Sequence, residues 1–313
     1  MGISLQDAQQ IFSNAGLRTQ FGIVLPPGAR VAAYVRSTGQ QPGDDTFLTT
    51  NLCSTLAQGL ARARAGLGDF VVVLPGHVEN VADATTFSAA LVAGTRIIGV
   101  GRGTAMPTFT WTQTTSQWAI AVNDVQIAGI RISPIGINGV VLPINITGTD
   151  VSITACEFVV STTAIAPSNV ITIAATALRT DISGNKFRGL AASVPTTIIT
   201  VAGAVTDVSI SDNEFNAPAV ALTGHITVTG AALGLKIFRN FMYNTAAVSQ
   251  NCISLAAAAS DGQISDNRFC VLFNGVASTL GISFGVGSIV KCNQNYCSDQ
   301  AQLSGILSPG PVT

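Results

Sequence analysis

Three aspartates recur along this chain at intervals of roughly one structural repeat, Asp150, Asp181 and Asp207, each at or just before the start of a strand-like stretch. A carboxylate row of that kind has two chemistries open to it. It could ligate a cation or work as an acid/base pair, or each aspartate could cap its own backbone at a turn. His77 follows the Pro75-Gly76 turn, with Glu79 two residues on. Strand alternation would put both on one face as an acid/base pair, and a solvated loop is the competing reading. His225 sits beside an apolar run and reads as a histidine satisfied at a corner. Gly99-Val-Gly101-Arg-Gly103 has the glycines of a phosphate loop but lacks the following helix and the Lys-Ser/Thr, so it is set aside.

Other side chains suit recognition better than catalysis. Trp111 and Trp118 could stack on sugars or could serve as a lid or packing residues. Arg18, Arg30, Tyr34 and Arg36 lie near the N-terminus and are of the types enriched where proteins meet, with solvated surface chemistry as the alternative. The six cysteines, Cys53, Cys156, Cys252, Cys270, Cys292 and Cys297, show no CxxC pair or zinc-type spacing. They are expected to be reduced, buried small hydrophobes.

The elements that position these residues are repeated. An aromatic closes each of six units at Phe158, Phe187, Phe215, Phe241, Phe269 and Tyr296, at gaps of 29, 28, 26, 28 and 27 residues. Four units share wording: Asp181-Ile-Ser-Gly-Asn-Lys-Phe187, Val208-Ser-Ile-Ser-Asp-Asn-Glu-Phe215, Ile264-Ser-Asp-Asn-Arg-Phe269 and Ile289-Val-Lys-Cys-Asn-Gln-Asn-Tyr296. Asp124-Val-Gln-Ile-Ala-Gly-Ile-Arg-Ile132 matches Asp150-Val-Ser-Ile-Thr-Ala-Cys-Glu-Phe158, which adds a seventh unit with Ile132 in the aromatic's place. Self-similarity at this period predicts a solenoid. Alternating Val/Ile and Ser/Thr/Asp make each unit a strand with one buried face. Asn185, Asn213 and Asn267, each two residues before its aromatic, should tolerate left-handed turns and align as a ladder. At about 4.8 Å per coil, roughly nine coils would span about 40 Å.

Ahead of the repeat, residues 1–45 read as an extended arm with a strand-like Arg30-Val-Ala-Ala-Tyr-Val-Arg36, and residues 46–68 as a helix that caps the first coil. Phe47, Leu48, Leu52, Leu56, Leu60 and Ala63 supply its apolar face. The coils are expected over 69–300 and a C-terminal tail, suited to cover the far end, over 301–313. With 313 residues, 47% of them hydrophobic, the chain can bury a large core. Its net charge of −1 suggests neither nucleic acid nor an anionic membrane as partner. Only 10% of residues are charged, against about 25% usually, which suits faces covered by other subunits, with a Thr/Ser/Asn-rich solvated surface as the alternative. No apolar run is long enough for a membrane span, and the N-terminus lacks the pattern of a signal peptide. Synthesis in a cytoplasm is the expectation.

The helix, then Gly68-Asp69-Phe-Val-Val-Val-Leu-Pro-Gly76, then Ile97-Ile-Gly-Val-Gly-Arg-Gly103 and the Asn-turn coils resemble the right-handed parallel β-helix superfamily typified by pectate and pectin lyases. The resemblance covers roughly residues 46 to 300. It implies an all-β, single-stranded parallel β-helix of about 7–9 coils with an N-terminal capping helix and an extended arm. The lyase-like calcium aspartates and arginine base are missing, as are the polygalacturonase-like Asn-Thr-Asp, Asp-Asp, Gly-His-Gly and Arg-Ile-Lys; Gly224-His225-Ile226 is only a fragment. The stretch Val24-Leu-Pro-Pro-Gly-Ala-Arg-Val-Ala-Ala-Tyr-Val-Arg-Ser-Thr-Gly39 is similar to tailed-phage proteins of this fold. That likeness implies a virion protein of the capsid decoration (cement) type, made in the host cytoplasm and trimeric. It would sit on the capsid surface with the major capsid protein as partner, need no cofactor and have no enzymatic activity. A phage tailspike or depolymerase, or another polysaccharide-active β-helix enzyme, is the alternative.

Overall fold

The structure is a computed structural model that describes residues 28–41, 44, 46–134, 140, 143–159, 167, 169–189, 197–216, 224–244, 251–255, 260–271, 281–284, 289–299 and 305–306. Short β-branched strands separated by left-handed corners wind into a right-handed, single-stranded parallel β-helix. Three sheets form its sides. Sheet A has eleven strands running from Leu52–Cys53 to Ile289–Asn293, sheet B ten, and sheet C seven running from Trp118–Ile120 to Ile282–Phe284. Every strand pair in these three sheets is parallel except the last, where Gly305–Ile306 of the tail lies antiparallel on Tyr296–Asp299.

The inward positions stack with like on like. Ile127, Ile153, Ile182, Ile210, Ile237 and Ile264 form one fully buried row of sheet A. In sheet B the row is Ile132, Phe158, Phe187, Phe215, Met242 and Phe269. The rings of Phe158, Phe187 and Phe215 stack with centroids 4.7 and 4.8 Å apart, the spacing of adjacent strands. Ile132 thus holds the aromatic's place, as its spacing predicts. Phe241 and Tyr296 do not. They sit one residue earlier, pair in register with Arg268, and point outward at 42% and 47% exposure. A slip of one residue turns a side chain to the other face, and an aromatic at nearly the right spacing conceals it.

The N-terminal end departs from the expected single helix over 46–68. Thr46–Thr50 is a short helix (α1), Leu52–Cys53 pairs with Tyr34 and Val35 at the edge of sheet A, and Leu56–Leu60 is a second helix (α2). The interruption is local chemistry. The Thr55 side chain accepts from Gln58 N, while the Gln58 side chain accepts from Ser54 N, so two polar residues start a new helix where the apolar periodicity would continue one. The capping role stands: Leu56 and Leu60 are buried in the core against the first coil. Gly59 is required at that crossing, since a Cβ there would come within 2.8 Å of Val35 and 2.9 Å of Val71. The strand-like part of the arm is Val31–Val35, paired with Phe70–Val73 inside sheet A. Arm residues 1–27 lie outside the described residues.

The opposite end is more open. Inward-facing Ile282, Val290 and Cys292 of the last coil are half-buried, whereas Ile253, Leu235 and Ile264 before them are buried.

Candidate functional site

The polar side chains of the described coils fall into ranks, one member per coil. At the corner before sheet A the rank is Asp124, Asp150, Arg179, Asp207 and Gly234, all with φ between 50° and 65°. Aspartate bears left-handed backbone better than most residues, which explains its recurrence there. The expected row of Asp150, Asp181 and Asp207 is therefore broken. Asp181 stands two residues later, inside the strand, in register with Ser152 and Ser209. Arg179 occupies the rank between the other two and donates to both oxygens of Asp150 at 2.6 and 2.7 Å. Those hydrogen bonds hold the Asp150 carboxyl below the usual carboxylate range and, with the Asp150 charge, raise the Arg179 guanidinium above its ordinary value. A carboxylate so engaged is neither a proton donor near neutral pH nor an open cation ligand.

The corner after sheet A carries two ranks side by side. Gly129, Ala155, Gly184, Asp212, Arg239, Asp266 and Gln294 take the left-handed conformation. Arg239 is bidentate on Asp212 at 2.8 and 2.7 Å and lies 4.5 Å over the Phe238 ring. The asparagines come next, so the left-handed residue is the one before each asparagine, contrary to the sequence-based expectation. Asn185, Asn213, Asn240, Asn267 and Asn295 are buried, and each of the first four donates Nδ2 to the next Oδ1 at 2.9 to 3.0 Å. The expected ladder of three thus has five members. Asn240 and Asn295 escape a search keyed to the aromatic, because each stands one residue before an outward-pointing ring. The rank passes from amide to thiol at Cys156, whose N–H donates to Asn185 Oδ1 at 2.9 Å. Burial pushes the Cys156 thiol up to about 12, consistent with an inert packing role.

The N-terminal candidates are mostly spent on the fold itself. Tyr34 and Arg36 are each 2% exposed, so neither can anchor a partner from the surface of this chain. Arg36 Nε donates to Gly39 O at 2.7 Å, and its guanidinium pairs with Asp44. Arg30 is at the surface, its side chain 56% exposed, and approaches Asp69. Arg18 lies outside the described residues. Asp69 is fully buried and receives Arg64 Nε and Nη2 at 2.9 and 2.8 Å, plus the backbone N–H groups of Arg64 and Arg30. Burial pushes the Asp69 carboxyl up, but these hydrogen bonds and the Arg64 charge outweigh it and hold it below its ordinary value.

His77 and Glu79 do share one face, and they are not a solvated loop. His77 is fully buried. Its Nδ1 accepts from Ser37 N at 3.0 Å, which leaves Nε2 to carry the proton toward Glu79 Oε2, 3.0 Å away. The same Glu79 oxygen accepts from Leu56 N, the first residue of α2, at 2.7 Å. Beside it opens a small cleft lined by Leu56, Glu79, Asp83, Thr86, Phe87 and Trp118. Asp83 caps the helix Thr86–Ala90 (α3) by accepting from Thr85 N and Thr86 N at 2.7 and 2.6 Å. The Thr86 hydroxyl is the leading cause that holds its carboxyl down to about 2. Both carboxylates of the cleft thus serve short helices as N-terminal partners.

The tryptophans are core residues and not a lid. Both are 1% exposed, and Trp118 stacks on Phe87 at 4.5 Å and meets Phe109 edge-on at 4.9 Å. His225 is buried in the strand Gly224–Val228, 5.5 Å from the Phe215 ring. Cys53, Cys156 and Cys252 are buried, while Cys270 and Cys292 are half-buried. Among the described residues no group of three or more His, Cys, Asp or Glu is placed to hold a metal. No helix among them is long and apolar enough to cross a membrane.

Comparison with known proteins adds no relative: no family model, no curated protein and no solved structure matches this chain.

Proposed function

We propose that this chain is a structural component of a tailed-phage particle, a rigid β-helical trimer that binds the major capsid protein and braces the shell as a decoration protein. It is made in the host cytoplasm and ends on the capsid surface. The observation that carries this reading is the insertion of Arg179 between Asp150 and Asp207, which turns the most promising row of acids into a coil-to-coil staple. Arg239 with Asp212, and Arg131 with Glu157, repeat the arrangement. Charge of the kind catalysis uses serves here to stiffen a rod, and stiffness is what a brace needs. The phage assignment rests on the N-terminal likeness and on the shortage of charge. In this role the work is done by burial, through interfaces above roughly 1,000 Å² repeated by symmetry. Of the arm candidates, Arg30 retains an exposed side chain for such a contact.

The second reading, a tailspike or other polysaccharide-active enzyme, draws support from the cleft in which Glu79 and Asp83 face an aromatic floor. Electron microscopy of the purified chain mixed with empty capsids of its own phage separates the two. Regular symmetric density on the shell is the expected result. Bare shells, together with reducing ends released from capsular polysaccharide and lost in Glu79→Gln, would establish the enzyme instead.

A further inference from the structure

The loop that follows the strand Val31–Val35 is braced from within. Arg36 Nε donates to Gly39 O at 2.7 Å and Gly39 N to Arg36 O at 3.2 Å. Gln41 N donates to Asp44, whose carboxylate also pairs with Arg36. Beyond Arg36, the hydrogen bonds that tie this loop to the first coil among the described residues are both made by Ser37. Its N–H donates to His77 Nδ1 at 3.0 Å, and its hydroxyl accepts from Val78 N at 3.1 Å.

That tether works with one protonation state of His77. The ring is fully buried, its Nδ1 lone pair is filled by the Ser37 N–H, and Nε2 carries its proton toward Glu79. A second proton has to go on Nδ1, where it meets the Ser37 N–H donor against donor. The two contacts of the ring differ in strength. A charged ring holds Glu79 through a charge-assisted hydrogen bond, about twice as strong as a neutral one, whereas Ser37 offers one neutral N–H from an exposed loop. Glu79 is itself fixed by Leu56 N at 2.7 Å. The loop is therefore the part that moves.

Apart from Glu79, the charged groups on the elements around the ring keep their charge in mild acid. Burial pushes the Asp44 carboxyl up, but the hydrogen bonds from Arg36 and Gln41 N outweigh it and hold it below its ordinary value, so the pair with Arg36 stays ionised at about pH 5. Asp83, on the same cleft as Glu79, is held down to about 2, chiefly by the Thr86 hydroxyl. Arg102 is exposed in the turn whose Ala105 O accepts from Gly76 N. Phe109, of the strand Thr108–Trp111, presents an uncharged ring at 5.3 Å, and Leu56 of α2 a backbone N–H. Histidine is the side chain that ordinarily changes charge between about pH 8 and 5.

We propose that His77 is an acid-released latch: a second proton on its ring detaches Ser37 and frees the loop of residues 37–41 from the first coil. The latch is closed while the ring is neutral and opens as pH falls. It goes beyond the proposed function and does not depend on it.

Nuclear magnetic resonance of the full chain between about pH 8 and 5 tests it. Protection of the Ser37 amide against hydrogen exchange, corrected for the intrinsic rate, should fall at least about tenfold, while the Phe70–Val73 amides inside sheet A keep theirs. The His77 ring nitrogens and the Ser37 amide should titrate with one midpoint. His77→Asn puts an acceptor that does not titrate in the place of Nδ1, and its Ser37 protection should be the same at both ends of the range. A Ser37 amide that stays protected while the ring gains its second proton overturns the proposal, as does a ring that stays neutral throughout. A loss of protection that persists in His77→Asn overturns it too and assigns the response to Glu79. If that variant does not fold, the native chain decides, because separate midpoints for His77 and Ser37 rule the latch out.

Discussion

Asn185 Nδ2 lies 3.0 Å from Asn213 Oδ1, one coil away and fully out of water, and Asn185 N donates to the same oxygen at 2.9 Å. Asn213 in turn donates Nδ2 to Ile182 O at 2.8 Å and to Asn240 Oδ1 at 3.0 Å. Every polar atom of the side chain is satisfied by a neighbouring coil, so the corner that joins sheets A and B is held by a continuous chain of amides.

Asn213→Ala leaves the buried Asn185 N–H without its acceptor and takes one partner each from Asn185 Nδ2, which keeps Ile153 O, and from Ile182 O, which keeps its place in the strand ladder. At about 1–3 kcal/mol for the orphaned group, with a smaller cost at the other two, a loss of about 2–4 kcal/mol is expected. Urea unfolding followed by circular dichroism reads it. A loss below about 1 kcal/mol would mean that water enters the corner and replaces the amide.

Cys156→Asn should do the reverse. The thiol stands 3.9 Å from Ile127 O, in the relation that each ladder amide has to an isoleucine carbonyl one coil back. An asparagine there would extend the ladder by one member and stabilise the fold by about 1 kcal/mol. A lower urea midpoint than the native chain would show that this corner is too tight for the amide.

Asp69 gives stability a pH dependence whose sign is fixed. Its carboxyl titrates below the ordinary value in the folded chain, so its contribution is present in full above the unfolded carboxylate range near pH 4 and is lost as pH falls through the lower folded value. Asp69→Asn should flatten that acid limb and loosen the first coil, since Arg64 and Arg30 converge on it. Hydrogen exchange of the Phe70–Val73 amides between pH 5 and 3 reports the change, and an acid limb unaltered in Asp69→Asn counts against it.

Much of this architecture was legible in the sequence. The repeat of Val/Ile with Ser/Thr yields the buried rows, and the match of Ile132 to Phe158 is confirmed by their register. What was not legible depends on facing. Asp150, Asp181 and Asp207 recur in sequence at nearly one coil, yet only two share a corner, because the strand register counts residues that a spacing of about 28 cannot resolve. Burial of His77, Tyr34 and Arg36 follows from helices and loops folding over the first coil, which no local pattern announces. The Ser54-Thr55 interruption was readable, as a hydroxyl pair three and four residues before Gln58, but the apolar face running through it masks the signal.

The register of sheet B can be tested by two substitutions that look alike in sequence. Phe187 and Phe241 both close a repeat unit, but Phe187 is sandwiched between Phe158 and Phe215 while Phe241 faces outward. Phe187→Ala removes a ring from a stack with no room to collapse and should cost about 3–5 kcal/mol. Phe241→Ala in the separated chain should stay within about 0.5 kcal/mol, because water already reaches the ring. Met242→Ala, the inward neighbour, should cost about 2–5 kcal/mol. If Phe241 proved the costly position and Met242 the tolerant one, the last coils would be slipped by one residue and the outward row of Phe241, Arg268 and Tyr296 would turn inward.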